Sequence, residues 1–186
     1  MRWSDVPRTE DSHITDIAWA GLGLVGSLNL SGLPALRYVY LSGNNLSSLN
    51  FSDSVTMKTL EAGSSNLLSI DVTGCSGLEE LGVSSNLLSE LSIQGCLSLK
   101  TLRCDYMDNF AELDLSGGLS LERIYCQRTA LSEIDVSPCV SLIGIYVSEN
   151  PGLTSIDVSN CPNIETIRVN SCSIDCLLYT SPSPRD

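Results

Sequence analysis

Residues 78–98 read LEELGVSSNLLSELSIQGCLS, and residues 121–141 read LERIYCQRTALSEIDVSPCVS. Aligned on their first leucines, both place apolar side chains at positions 1, 4, 6, 11, 14 and 16. These are Leu78, Leu81, Val83, Leu88, Leu91 and Ile93 in one, and Leu121, Ile124, Cys126, Leu131, Ile134 and Val136 in the other. Extending this grid in both directions divides the chain into units 14–35, 36–56, 57–77, 78–98, 99–120, 121–141 and 142–163, with a partial unit 164–175. A unit this short cannot bury its apolar side alone, so the repeat implies coils stacked into a solenoid. Around positions 4 to 6 and 14 to 16 the residues alternate apolar and polar, which is strand spacing, and no stretch sustains a helical period. The expectation is two very short strands per unit, joined by tight loops and stacked about 4.8 Å apart. The 22-residue units carry their extra residue in the first loop, as in Asn150-Pro-Gly152 or the stretch 105–108, where it leaves the stacking register intact.

Residues 36–49, LRYVYLSGNNLSSL, and 153–158, LTSIDV, resemble leucine-rich repeats of the short bacterial class sometimes called IRREKO, whose pattern reads LxxLxLxxNxLxxLDLxxC. The resemblance implies a leucine-rich repeat solenoid, mainly β: a right-handed superhelix with a parallel sheet on its concave face, short strands or irregular structure on its convex face, and little helix. Trp3 and the segment 13–28, HITDIAWAGLGLVGSL, are similar to the cap and first repeat of longer members, without their paired cap cysteines. The last eleven residues, CLLYTSPSPRD at 176–186, resemble a translated sequencing adapter. The domain reading is therefore a cap-like segment 1–13, a repeat domain 14–175 and a non-native tail 176–186 on a truncated bacterial gene fragment. Leu177 and Leu178 are expected to order on the open end of the stack, with disorder from Ser181 onward.

Position 9 reads Asn44, Ser65, Asn86, Asp108, Thr129, Asn150 and Cys172 from the second unit onward. In the family this residue turns inward and bonds the loop backbone of its own and the next turn, satisfying polar groups that burial would orphan. Cys75, Cys96, Cys139 and Cys161 recur in the turn after the second strand, with Gly118 in the equivalent place, and Cys104 and Cys126 share position 6. These read as small buried hydrophobes. With no Cys-x-x-Cys pair and His13 as the only histidine, metal-ligand spacing is absent and no metal or cofactor is expected.

By the resemblance, positions 2, 3, 5, 7 and 8 project from the concave face. All five tyrosines before Cys176 fall there: Tyr38, Tyr40, Tyr106, Tyr125 and Tyr146. So do Arg37, Lys58, Lys100, Arg103, Arg123, Arg128 and Arg168, seven of the nine basic residues before Cys176. Tyrosine and arginine anchor interfaces through large contact area and directed hydrogen bonds. The candidate ligand-binding residues are Tyr38, Tyr40, Arg103, Tyr106, Arg123, Tyr125, Arg128, Tyr146 and Arg168. The competing account is strand preference for tyrosine and solubilising charge. It leaves unexplained why the outward second-strand residues Asn50, Asp71, Ser92, Asp114, Asp135 and Asp157 include neither type. Those read as a solvated outer wall that discourages sheet pairing rather than a calcium ladder.

A net charge of −12 disfavours nucleic acid as a partner, and no apolar run of about eighteen residues exists to span a membrane. Gly21-Leu-Gly23-Leu-Val-Gly26 spells GxGxxG but sits in a repeat loop with no helix after it, so it reads as a loop. Glu79 and Glu80 read as surface, and His13 lies far from most candidate nucleophiles, so no catalytic group is assigned and the chain is read as no enzyme. The expectation is a binding module, extracellular or at the cell surface, that grips a protein, or secondarily a glycan, on its concave face. The alternative is the recognition arm of a larger secreted enzyme or effector. No feature fixes an oligomeric state.

Overall fold

The computed structural model describes residues 14–178. The cap-like segment 1–13 and the expected disorder from Ser181 lie outside the described residues. Along the chain run β1 (Asp16–Ala18), β2 (Val25–Asn29), β3 (Tyr38–Tyr40), β4 (Asn45–Asn50), β5 (Thr59–Glu61), β6 (Ser69–Asp71), β7 (Glu80–Gly82) and β8 (Glu90–Ser92). They continue with β9 (Thr101–Arg103), β10 (Glu112–Asp114), β11 (Arg123–Tyr125), β12 (Gly144–Tyr146), β13 (Ser155–Asp157), β14 (Thr166–Arg168) and β15 (Cys176–Leu178). No described residue is helical.

The strands at positions 3 to 5 form one parallel sheet of eight, in the order β1-β3-β5-β7-β9-β11-β12-β14. Its register pairs like positions throughout: Tyr40 lies beside Glu61, Gly82 beside Arg103, Tyr125 beside Tyr146 and Tyr146 beside Arg168. The second strands make a broken wall opposite, as β2-β4-β6, β8-β10 and β13-β15. In the last pair Ile156 faces Leu177, so the segment after Asp175 extends the wall by one strand.

Between the two walls the inward columns close on one another. Leu36, Met57, Leu78, Leu99, Leu121 and Leu142 at position 1 have no exposed surface, nor do Val39, Leu60, Leu81, Leu102, Ile124 and Ile145 at position 4. Each coil buries its neighbour's apolar side, which is where a repeat fold gets its stability.

Three expectations need correction. The second strand is missing from unit 121–141: Leu131, Ile134 and Val136 are buried, yet residues 132–136 donate no backbone bond to a neighbouring coil. The extra residue of the flanking 22-residue units does not account for this, because β10 of unit 99–120 pairs in register with β8 of the 21-residue unit before it. The inward slot of unit 99–120 is filled by Met107 rather than Asp108. Met107 is fully buried and bridges to Thr129, whereas the Asp108 side chain is 85% exposed. A thioether needs no polar partner in the interior, and the extra residue of this unit then bulges outward as Asp108.

The position-9 residues turn inward, but they reach the preceding coil rather than the next. Asn44 donates from Nδ2 to the carbonyls of Leu41 (2.6 Å) and Trp19 (2.8 Å), and Asn86 does the same to Val83 (2.8 Å) and Ala62 (2.9 Å). In each case the partners are position 6 of its own and of the previous unit. Ser65 and Cys172 keep the backward bond, to Leu41 (3.3 Å) and Val147 (3.1 Å).

The acidic wall is tied down locally. The Oδ1 atoms of Asp71, Asp114, Asp135 and Asp157 each accept the amide two residues on, at 2.9–3.0 Å, and Asn29 and Asn50 do likewise. A short acceptor at this position closes the turn after the second strand, which is why Asp and Asn recur there. The side-chain bond from Ser92 holds the Asp114 carboxyl below its ordinary range, and the bond from Ser159 does so for Asp157.

Cys75, Cys96, Cys104, Cys126, Cys139 and Cys161 occupy buried columns with free thiols, and Cys172 is partly buried. Cys75 donates to Phe51 O at 3.1 Å and Cys96 to Val72 O at 3.3 Å. Burial pushes Cys75 up to about 11 and Cys96 and Cys139 up to about 12, so these thiols stay protonated and unreactive near neutral pH.

Candidate ligand-binding face

Positions 3 and 5 of each first strand point away from the core, and the in-register sheet stacks them into columns. The position-5 column reads Ala18, Tyr40, Glu61, Gly82, Arg103, Tyr125, Tyr146 and Arg168. Like side chains on adjacent parallel strands stack if their rotamers agree. Tyr125 and Tyr146 do, with ring centroids 4.6 Å apart and planes inclined by 10°. Gly144 gives the second ring its room: a Cβ there would lie 3.0 Å from Cε2 of Tyr146. The guanidinium of Arg168 rests over the other face of Tyr146, 5.3 Å from its centroid, a cation–π arrangement.

The middle of the column is bound internally. Arg103 reaches past Gly82 to Glu61 Oε1 at 3.2 Å and stands 3.7 Å from Glu80 Oε2. The Glu61 carboxylate fills the space over Gly82, where a Cβ would fall 1.9 Å from Oε2. Burial raises the Glu61 pKa, Arg103 opposes that shift and Glu80 adds to it. At the neighbouring edge Glu79 bridges Lys58 (2.8 Å) and Lys100 (2.9 Å), and their bonds hold its pKa down at about 2. Glu79 thus does more than cover surface: its one carboxylate is shared by two cations of the face.

Of the sequence-derived candidates, Arg123, Tyr125, Tyr146 and Arg168 lie together on β11, β12 and β14. Tyr106 and Arg128 sit beside each other at position 8 of successive coils, with φ of 60° and 52°. Tyr38 and Tyr40 are both exposed on β3, four strands from β11, roughly 19 Å by strand spacing. Arg103 lies between the two tyrosine groups, engaged with carboxylates. The Glu61–Arg103 pair was missed in the sequence, although a glycine between two long opposite charges in one column was a readable signal. Among the described residues no group of three or more His, Cys, Asp or Glu could hold a metal ion, and no helix is long and apolar enough to cross a membrane.

No protein-family model matches the chain, and no curated protein does. Solved structures do match in fold. The chain is similar to YopM from Yersinia enterocolitica, with 20% identity and a TM-score of 0.59 over 86% of this chain and 40% of that one. It is also similar to the functional domain of InlJ from Listeria monocytogenes, which includes a cysteine ladder, with 17% identity and a TM-score of 0.52 over 82% of this chain and 46% of that one. The chain spans less than half the length of either. The architecture is a leucine-rich repeat solenoid.

Proposed function

We propose that this chain is a protein-binding leucine-rich repeat module and that it holds its ligand on the outer face of the eight-stranded sheet, the concave side of the repeat grid. The observation that carries this reading is the Tyr125–Tyr146–Arg168 column. It concentrates two aromatic rings and a guanidinium on rigid adjacent strands, where little side-chain freedom is left to lose on binding. The binding residues are Arg123, Tyr125, Tyr146 and Arg168, flanked by Tyr106 and Arg128, with Tyr38, Tyr40 and Arg103 extending the surface toward the first coil. A glycan is the second choice of ligand. We place the module outside the cell or on its surface, on the strength of the sequence pattern.

Capture from host or community lysate, compared between the unsubstituted chain and the Tyr125→Ala/Tyr146→Ala double variant, tests the assignment. Loss of the captured partner at an unchanged melting temperature is expected. Equal capture by both proteins would remove this face from consideration.

A further inference from the structure

Resting on the binding reading above, we infer that the partner presents an acidic protein segment, whose Asp or Glu carboxylates dock on Arg168 and Arg128 while its other oxygens meet the hydroxyls of Tyr125 and Tyr146. The first ground is the way the rings are presented. Tyr146 has Tyr125 on one face and Arg168 on the other. A sugar ring stacks through its C–H groups on an open aromatic face, and Tyr146 has none to offer. Apart from the second face of Tyr125, what the column shows to a ligand is ring edge, hydroxyl and guanidinium, a set rich in hydrogen-bond donors.

The second ground is charge matching along the sheet. Lys58 and Lys100 share Glu79, Arg103 has Glu61 and Glu80 beside it, and Arg123 stands 3.4 Å from Glu122. Arg168 has no carboxylate within salt-bridge distance among the described residues. A guanidinium lying over a ring keeps its in-plane N–H groups free, and their fork matches the two oxygens of a carboxylate. Glu149 and Glu165 are exposed at that end, yet neither forms an ion pair with Arg168 among the described residues, so its guanidinium is left for a carboxylate from outside.

The third ground is backbone conformation. Position 8 is left-handed in successive coils, where Gly43, Ser64 and Ser85 precede Tyr106 and Arg128, and Glu149 and Ser171 follow them. Bulky side chains are disfavoured in that region, so their presence points to a use for the side chains themselves. Arg128 has one ionic contact, 3.9 Å to the 85% exposed side chain of Asp108. Such a contact exchanges readily for an incoming carboxylate. From Tyr125 to Arg168 is two strand spacings, about 9.6 Å, which an extended segment covers in about three residues.

The test uses the full chain against an immobilised library of random dodecapeptides and, in parallel, a panel of neutral glycans. Retained peptides should be enriched in Asp and Glu. Arg168→Ala should erase that enrichment and weaken the best peptide about tenfold or more, with an unchanged melting temperature. Exchanging the peptide's acidic residues for Asn and Gln should weaken wild-type binding equally and add nothing in the variant. Peptides retained without acidic enrichment, or enrichment that survives Arg168→Ala, would overturn the inference and leave the binding face standing. Glycan capture that is lost in the double tyrosine variant would overturn it too, in favour of a sugar ligand. Retention of nothing by the unsubstituted chain would count against the binding reading itself.

Discussion

Asn150 holds Thr129 of the preceding coil by two bonds: its Oδ1 accepts the Thr129 amide at 2.8 Å and the Thr129 hydroxyl at 2.6 Å. Its Nδ2 donates to Cys126 O (2.8 Å) and Val147 O (2.7 Å), and the residue has no exposed surface. Four buried polar groups therefore depend on one side chain. Asn150→Ala should lower unfolding stability by about 3 kcal/mol, because an unsatisfied buried group costs about 1–3 kcal/mol and water re-enters only part of the gap. Exposed Gln94→Ala should change it by less than about 0.5 kcal/mol. Urea denaturation midpoints compare the two.

The periodic part of this design was legible in the sequence because each coil repeats the burial of the last. Leu36 through Leu142 could be placed inside from spacing alone. Met107 could not, since an inserted residue can be counted on either side of the slot and Asp108 looks more like a loop-capping residue. The missing strand at 131–136 was not legible, because the segment keeps the apolar spacing of units whose second strands do pair. In the face, Tyr125 over Tyr146 follows from register. The reach of Arg103 to Glu61 across a whole strand depends on rotamers and on the space left by Gly82.

Acid should loosen the outer wall. Hydrogen bonds from serine hold the Asp114 and Asp157 carboxyls below their ordinary pKa. A carboxyl with a folded pKa below its unfolded value of about 3.9 contributes stability that is present above that value and lost as pH falls through the folded pKa. The melting temperature should therefore drop as pH goes below about 4. Asn29 and Asn50 close the same turn without titrating. An Asp114→Asn/Asp157→Asn variant should consequently keep its fold at pH 7 and lose part of the acid-induced drop. A pH–Tm profile identical to that of the parent would show that these two carboxyls are not responsible.

Two glycines should respond differently to alanine. At Gly82 the new Cβ would meet the far end of the Glu61 side chain, 1.9 Å from Oε2, and that end can swing away. The loss is then a half-buried ion pair with Arg103, on the order of 1 kcal/mol. At Gly117 the Cβ would lie 2.2 Å from Ile93 O, a backbone atom of the adjacent coil. Relief there requires shifting the stack, so Gly117→Ala should cost about 2 kcal/mol or more. Thermal melts that rank the two variants the other way would contradict this account of the packing.

Ser54 occupies the column that Cys75, Cys96, Cys139 and Cys161 fill in other coils. It is 4% exposed, and its Oγ has no hydrogen-bond partner among the described residues. A buried hydroxyl without a partner loses its hydration and regains little, whereas a thiol in the same place gives up much less on leaving water. The slot already accepts sulfur: Cys75 sits in it with no exposed surface and a weak bond to Phe51 O. Ser54→Cys should therefore raise stability by about 1 kcal/mol. The reverse change, Cys75→Ser, should lower it, because the shorter C–O bond carries the hydroxyl away from the carbonyl that the thiol reaches. Denaturation under reducing conditions, which keeps the added thiol from oxidising, measures both; destabilisation by Ser54→Cys would mean that the serine slot is too tight for sulfur.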